Sequence, residues 1–456
     1  MKKPSLLLVL LLGGISLVGN LFLFPTQESF PEVSISQDGG VRSEKALLPV
    51  IETYEGTLAS LVAERKNFVE VNFSDMATRL WEEGVVKKEL PIVAVGDPQG
   101  WGGTPAGLYS VLSKNKERYS SAAEVYMPWA VGFYGKYFLH GEPYYRRGEK
   151  RFTDATGGCV QYSDENAKAI YDFAHVGMSV LVIDKEKDVS ILRAPEQELP
   201  LVSATSYLVA DLASGTILAE KNSEETRLVA SLTKLMEAVV VAEHLDLRNS
   251  ILVQSFMLDA YGATEGLIPG QRPRIVELFY PLLVESSNDT AQVLSYFLGR
   301  IRTVELMQAK ASALFMHNTV FTDTSGYDPG NTSTAQDVFR LMRYIAFNRP
   351  TLLQITKGEM VRTFGEVRFT DLKNKNLFAQ DPAFLGGKTG YIVASQYTGA
   401  FLFEVPFGKE TRTVAIVLLD SPSLEKGEQN LRQDTLNTLE WIERTSSQLE
   451  ISPKNL

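Results

Sequence analysis

"ASLTKLM" (residues 230–236) places Ser231 three residues ahead of Lys234 at the opening of a helical pattern. Residues three apart share one face of a helix, so the lysine amine can reach the serine hydroxyl. A serine is a weak nucleophile until a neighbouring base takes its proton. Lysine can serve as that base only where burial and nearby cations bring its pKa down from about 10.4 towards neutrality. The stretch therefore asks for a buried helix start, with the positive end of the helix dipole beside the serine. Taken alone, S-x-x-K is common surface decoration, so its meaning depends on what surrounds it.

Two further motifs follow in order: "LVESSNDTA" (283–291) supplies Ser286 and Asn288, and "FLGGKTGY" (384–391) supplies Lys388, Thr389, Gly390 and Tyr391. Ser286 and Asn288 suit relay of a proton to a leaving amine and the holding of Lys234 and a substrate amide. Lys388 and Thr389 suit a substrate carboxylate, and Gly390 lets a strand approach a bound peptide closely. The N–H groups of Ser231 and Tyr391 can form an oxyanion hole. With "LVADLASGTILAEKN" (208–222) ahead and "TVFTDTSGYDPGNTSTAQD" (319–337) between, residues from about 200 to 445 resemble the D-alanyl-D-alanine carboxypeptidases, the low-molecular-mass penicillin-binding proteins. The resemblance implies an α/β penicillin-binding-protein/β-lactamase-like domain, with an antiparallel sheet, a helical lobe and the Ser231 helix between them. It also implies an acyl-Ser231 intermediate, peptidoglycan stem peptides as substrates, β-lactams as inhibitors and no cofactor. No E-x-x-L-N stretch follows the second motif, which disfavours a β-lactamase. Carboxypeptidase, endopeptidase and weak transpeptidase all remain open, because the pocket walls choose the leaving group and acceptor.

The single cysteine, Cys159, lies in "ATGGCVQYSDENAKAIYDF" (155–173). A lone cysteine usually behaves as a small buried hydrophobe. Here "FLHGEPYY" (138–145) places His140 and Gly141 about twenty residues upstream, "TPAGLYSV" (104–111) lies earlier, and Gly157 and Gly158 permit tight backbone before the thiol. This ordered set, from about 66 to 184, resembles the catalytic domain of L,D-transpeptidases, which implies a mostly β domain. On that resemblance Cys159 is the nucleophile and His140 its base. The Gly141 carbonyl would orient the imidazole, and the N–H groups of Gly158 and Cys159 would receive the oxyanion. Gly157 stands where the family usually has His, and Gln161 where Arg is frequent. Two readings stay open, an active L,D-transpeptidase and a degenerate domain that only binds peptidoglycan. A wholly non-enzymatic wall-binding scaffold is the rival from another class.

Composition narrows the partners. Lys and Arg number 45 against 55 Asp and Glu, a net charge of -10 without a basic stripe, which argues against nucleic acid. One cysteine excludes an intramolecular disulfide, and the four histidines do not fall at metal-ligand spacings. The chain begins "MKKPSLLLVLLLGGISLVGNLFLFP" (1–25), where Lys2 and Lys3 precede an uncharged, mostly apolar run. Some 20 residues at about 1.5 Å each just span a hydrocarbon core. The segment reads as a membrane anchor or a signal peptide; the lack of an A-x-A-like site favours the anchor. Either places the bulk of the chain in the cell envelope, outside the cytoplasmic membrane. The expected divisions are 26–63 as linker, 64–186 as the β-rich domain, a Pro-containing joint near 193–200, and 196–448 as the mixed domain.

Overall fold

The structure is a computed structural model, and it describes residues 46–51, 54–151, 155–184, 190–194, 198–261, 266–359, 369, 371–407, 410–423, 428–448 and 450–453. The segment read as an anchor or signal peptide lies outside these residues. Among them, no helix is long and apolar enough to cross a membrane.

The first half runs β1 (Ala46–Leu47), α1 (Tyr54–Ala63), β2 (Phe68–Asn72), β3 (Ala77–Glu82), β4 (Val85–Pro91), β5 (Gly107–Ser110), β6 (Ser113–Ser120), β7 (Val125–Tyr134), β8 (Tyr137–His140), β9 (Val160–Gln161), α2 (Asp164–Phe173) and β10 (Ser179–Ile183). Five strands form one sheet in the order β4-β3-β2-β10-β5, and four form a second in the order β6-β7-β8-β9. Their apolar faces meet in one core, with Val69, Val71 and Val180 from the first sheet against Val131, Phe133 and Leu139 from the second. Ser163 caps α2, its hydroxyl accepting from the Asn166 N–H at 3.2 Å. The stretch read as linker contributes β1 and α1.

The second half runs β11 (Ser190–Ala194), β12 (Ser206–Asp211), β13 (Ile217–Lys221), β14 (Arg227–Leu228), α3 (Thr233–His244), α4 (Ile275–Leu283), α5 (Asn288–Leu298), α6 (Arg300–Ala313), β15 (Thr332–Ser333), α7 (Ala335–Asn348), α8 (Pro350–Lys357), β16 (Phe384–Ile392), β17 (Gln396–Phe407), β18 (Glu410–Ser421), α9 (Glu428–Ser446) and β19 (Glu450–Pro453). Its sheet, β13-β12-β18-β17-β16, is antiparallel throughout. Period-two side-chain direction explains how one sheet serves two cores. Ala400 and Leu402 of β17 face the helical lobe with Leu235, Val239 and Phe279, whereas Phe401 and Phe403 face α9 with Trp441 and Ile442. A mostly β unit is thus followed by an α/β unit with a helical lobe, as the sequence implies.

The joint between the halves is not their only connection. β11 pairs with both β1 and β19, so the chain enters the joint from a three-stranded sheet. Trp101 stacks on Phe279 of α4 at 5.3 Å between ring centroids. Behind it, Glu243 near the end of α3 pairs with Lys310 at 3.0 Å and Arg349 at 2.9 Å, all three fully buried. Lys310 also donates to the hydroxyl of Tyr109 in β5, at 2.8 Å.

Candidate functional site

Ser231 sits in a short 3-10 turn, Ala230–Leu232, that leads into α3. It is half-buried, while Lys234 is fully buried. The Lys234 Nζ lies 3.0 Å from Ser231 Oγ, 2.7 Å from Asn288 Oδ1 and 2.5 Å from the Ser325 carbonyl oxygen. Asn288 is oriented by donating its amide to the Tyr261 carbonyl at 2.6 Å. Burial brings the Lys234 amine down to about 8; nearby Glu237 and Asp323 oppose that shift and Lys375 adds to it. Glu237 is fully buried one turn further along α3, and burial pushes its carboxyl well above the ordinary range.

Gly390 of β16 shows why this strand needs glycine. A Cβ there would stand 2.8 Å from the Ser231 N and 2.6 Å from Thr398 Oγ1. Lys388 is fully buried and donates to the Thr389 carbonyl at 2.8 Å; burial, then Lys234 and Lys375, hold its amine well below the usual lysine value. Thr389 Oγ1 donates to the Lys375 carbonyl at 3.0 Å. Tyr391 is exposed and rests on Tyr397 at 4.5 Å. Ser286 lies in the turn between α4 and α5 on left-handed backbone, φ 61°, and makes none of the hydrogen bonds that join Ser231, Lys234 and Asn288.

Three contributors were not legible from the three motifs alone. The Ser325 carbonyl is aimed by a loop in which Asp323 accepts from Gly326 N–H at 2.7 Å, Ser325 Oγ at 2.9 Å, Asp328 N–H at 3.1 Å and the Asn331 amide. Gly326, at φ +81°, presses against the Ala230 carbonyl, so the loop is docked on the Ser231 turn itself. Lys375 adds a third cation to the site. The run of Asp, Gly and Asn over 323–331 is the sequence signal for such a loop. Beside Asn288 and Ser325, a cleft of about 750 Å³ opens between Gln292, Arg300 and Gln308.

In the first half, β8 and β9 run parallel with His140 paired to Gln161. Period two puts Phe138 and His140 on one side of β8 beside Gln161 of β9, and Cys159, just ahead of β9, packs against Phe138. His140 is buried, and its Nδ1 lies 2.6 Å from the Gly141 carbonyl, which leaves Nε2 as the proton acceptor. Burial lowers the imidazole to about 4 and raises the Cys159 thiol to about 11; hydrogen bonding by the Phe138 backbone and the charge of Lys136 oppose the thiol shift. The resting pair is therefore neutral thiol and neutral imidazole. The thiol points to the Lys136 carbonyl at 3.8 Å.

One expectation needs correction. The Gly158 N–H donates to Thr156 Oγ1 at 3.1 Å rather than standing ready for an oxyanion, because the Thr156 side chain, which also donates to the Cys159 carbonyl at 2.5 Å, folds under the turn. Gly158 itself is required, since at φ +113° an added Cβ would enter the Tyr137 ring. Gly157 has open space around it, so a side chain's Cβ there would meet no obstruction. Among the described residues, no three His, Cys, Asp or Glu side chains cluster to hold a metal.

Comparison with known proteins gives these two sites a family. Residues 193–420 match the D-alanyl-D-alanine carboxypeptidase family of serine peptidases, and residues 66–182 match the L,D-transpeptidase catalytic domain. The carboxypeptidase DacB2 of Mycobacterium tuberculosis is 33% identical over 217 residues, 46% of this chain and 74% of that protein. The D-alanyl-D-alanine endopeptidase of Haemophilus influenzae is 30% identical over 205 residues, 44% of this chain and 70% of that one. A crystal structure of a D-alanyl-D-alanine carboxypeptidase from M. tuberculosis H37Rv aligns with a TM-score of 0.49 at 28% identity, over 57% of this chain and 97% of that chain. The chain belongs to the D-alanyl-D-alanine carboxypeptidase family. It carries an L,D-transpeptidase-type domain ahead of the family domain.

Proposed function

We propose that this protein trims and cross-links peptidoglycan stem peptides in the cell envelope, with Ser231 as a D,D-carboxypeptidase nucleophile and Cys159 as an L,D-transpeptidase nucleophile. The observation that carries the serine assignment is the triple contact of Lys234 with Ser231, Asn288 and Ser325. Two of those neighbours, an amide oxygen and a carbonyl, can only accept. When the amine is neutral its two N–H bonds go to them, and its lone pair is left for the Ser231 hydroxyl. Ser231 Oγ then attacks the carbonyl of the penultimate D-Ala, Lys234 holds the proton, and the departing D-Ala amine takes it. Water hydrolyses the acyl-serine and leaves a tetrapeptide. Lys388, buried behind β16, supplies positive charge towards the terminal carboxylate, half-buried Thr389 is the nearer polar group, and Gly390 keeps β16 clear of the Ser231 turn.

The cysteine assignment is supported by the His140–Gly141 contact and by the shared face of β8 and β9. In the tetrapeptide the thiol proton passes to His140 Nε2 as sulfur attacks the carbonyl joined to the terminal D-Ala. The D-Ala amine takes that proton and leaves, and an amine of a second stem then attacks the thioester, its proton returning through His140 to the thiol. The tetrapeptide product of the first site is thus the acyl donor of the second. The apolar run of residues 1–25 supports attachment to the membrane from outside the cytoplasm.

Fluorescent penicillin tests the serine site: labelling is expected in the parent and lost in Ser231→Ala, and an unlabelled parent would overturn the reading. Intact mass after incubation with a tetrapeptide muropeptide tests the other site. An acyl adduct absent in Cys159→Ala supports it; no adduct in the parent makes the first domain a binding module. A second serine reading, D,D-endopeptidase, follows the H. influenzae relative. Cleavage of cross-linked dimers faster than pentapeptide trimming would favour it.

A further inference from the structure

The backbone that carries Cys159 rests on two residues, Lys136 and Tyr137, and both are held from the other half of the chain. The Tyr137 ring is fully buried and lies against Gly158. Its hydroxyl accepts from Arg349 Nη2 at 3.2 Å, while Arg349 Nη1 donates to the Gly103 carbonyl at 2.8 Å. Gly103 belongs to the 96–104 loop, whose Gly96 and Gly102 pack on Gly158. One guanidinium therefore clamps both surfaces that enclose the Gly158 turn. Arg349 is itself fixed by Glu243, which Tyr344 and Lys310 also hold. Lys136 forms the second tie. Its Nζ donates to the carbonyls of Leu245, at 2.7 Å, and Ala242, at 3.3 Å, at the C-terminal end of α3. Those carbonyls lack partners within the helix and attract a cation. The Lys136 carbonyl is the group at which the Cys159 thiol points.

We propose that Arg349, in the carboxypeptidase half, is a positioning residue for the Cys159 site, setting the Gly158 turn through Tyr137 and Gly103, with Lys136 and the end of α3 as its second anchor. The planar, two-pronged guanidinium suits this task where a lysine would not, because it reaches two acceptors on different elements at fixed separation. α3 starts at the serine site and ends under the cysteine site, about 18 Å away at 1.5 Å per residue. The first domain is then not a detachable module: its thiol geometry is completed by the second.

This inference borrows its interest from the transpeptidase reading, but its test reads thiol reactivity and not turnover. Iodoacetamide alkylation of Cys159 is followed across pH 6 to 10 in full-length parent, Arg349→Met, Arg349→Lys and Lys136→Met, with penicillin acylation of Ser231 measured in the same samples. Displacing a reacting group by about 1 Å can change rates by up to about 100-fold, so the expected shift in alkylation rate for both Arg349 variants is roughly tenfold or more, with a displaced pH profile. Lys136→Met is expected to slow alkylation about threefold at neutral pH, since it removes a cation that favours the thiolate. Penicillin acylation should stay within about twofold throughout, because the serine machinery is untouched. Alkylation profiles that superimpose on the parent's in variants that acylate normally would overturn the proposal. Should Arg349→Met fail to acylate and prove unfolded, Arg349→Lys, which keeps the charge opposite Glu243, and Lys136→Met, at the surface, decide the matter. A parent that forms no adduct with tetrapeptide would remove the transpeptidase reading and leave this measurement intact.

Discussion

Lys234 and His140 are both buried bases, and burial acts on them with opposite practical results. For Lys234, desolvation lowers a normally charged amine to about 8, so the competent neutral form gains population as pH rises through that value. Penicillin acylation of Ser231 should therefore accelerate from pH 6 to 9 with an inflection near 8; a rate independent of pH over this range would remove Lys234 as the base. Replacing Lys234 with Met should slow acylation by roughly 10³-fold, within the usual range for loss of a positioned general base. His140 is already neutral above about 4, so its competence does not change across the physiological range. The limiting group there is the thiol, raised to about 11. Alkylation of Cys159 should keep increasing beyond pH 9, and a plateau near neutrality would mean a preformed thiolate–imidazolium pair instead. The motif demanded the lowered Lys234 amine, but the signs at His140 and Cys159 could not be read from sequence, because a shift in pKa follows from which side chains exclude water.

At the scale of elements, two glycine turns seat the two proposed nucleophiles. Gly326 docks the 323–331 loop onto Ala230, and Gly158 docks the cysteine turn onto Tyr137. Both have positive φ, which costs a residue with Cβ of order 1–3 kcal/mol before any collision is counted. Gly326→Ala should push the Ser325 carbonyl off Lys234 and reduce penicillin acylation at least tenfold, by the logic of misplaced reacting groups, while leaving Cys159 alkylation unchanged. Gly158→Ala should do the reverse. If both substitutions impair both sites equally, the turns act on global folding and not on their own site. The motif residues on α3, α5 and β16 were legible because short spacings on a regular element carry chemistry directly. The loop that aims Ser325 was visible only as a turn-forming composition; which carbonyl it presents depends on where it docks.

For the whole molecule, the consequence is a shared fold that carries both proposed sites. The single-site variants Ser231→Ala and Cys159→Ala, mixed in equal amounts, contain one of each site on separate chains. If product passes locally between sites, the parent should convert pentapeptide stems into L,D-cross-links faster than this mixture at low enzyme concentration. Equal rates would show that the tetrapeptide diffuses away before capture. Full-length variants are the right materials, since separating the halves would expose Trp101, Tyr109 and the charges of Glu243, Lys310 and Arg349.

The order of domains, the coarse strand and helix patterns of both halves, and the motif residues of both candidate sites were determined by local information: alternation with period two, helical spacing, and motifs a few residues long. The covering of one sheet by two cores also follows from period two, once both faces of β17 are seen to be apolar. What only the tertiary structure decided is how the halves meet. Glu243, Lys310 and Arg349 are unremarkable charges in sequence, and nothing in their spacing marks them as partners of Tyr109 and Tyr137. Their meaning arises because α3, α6 and the turn after α7 converge on the first domain, where low dielectric makes each charge depend on the others. Long-range packing of that kind leaves no periodic trace along the chain, and it is what places the cysteine turn upon the serine domain.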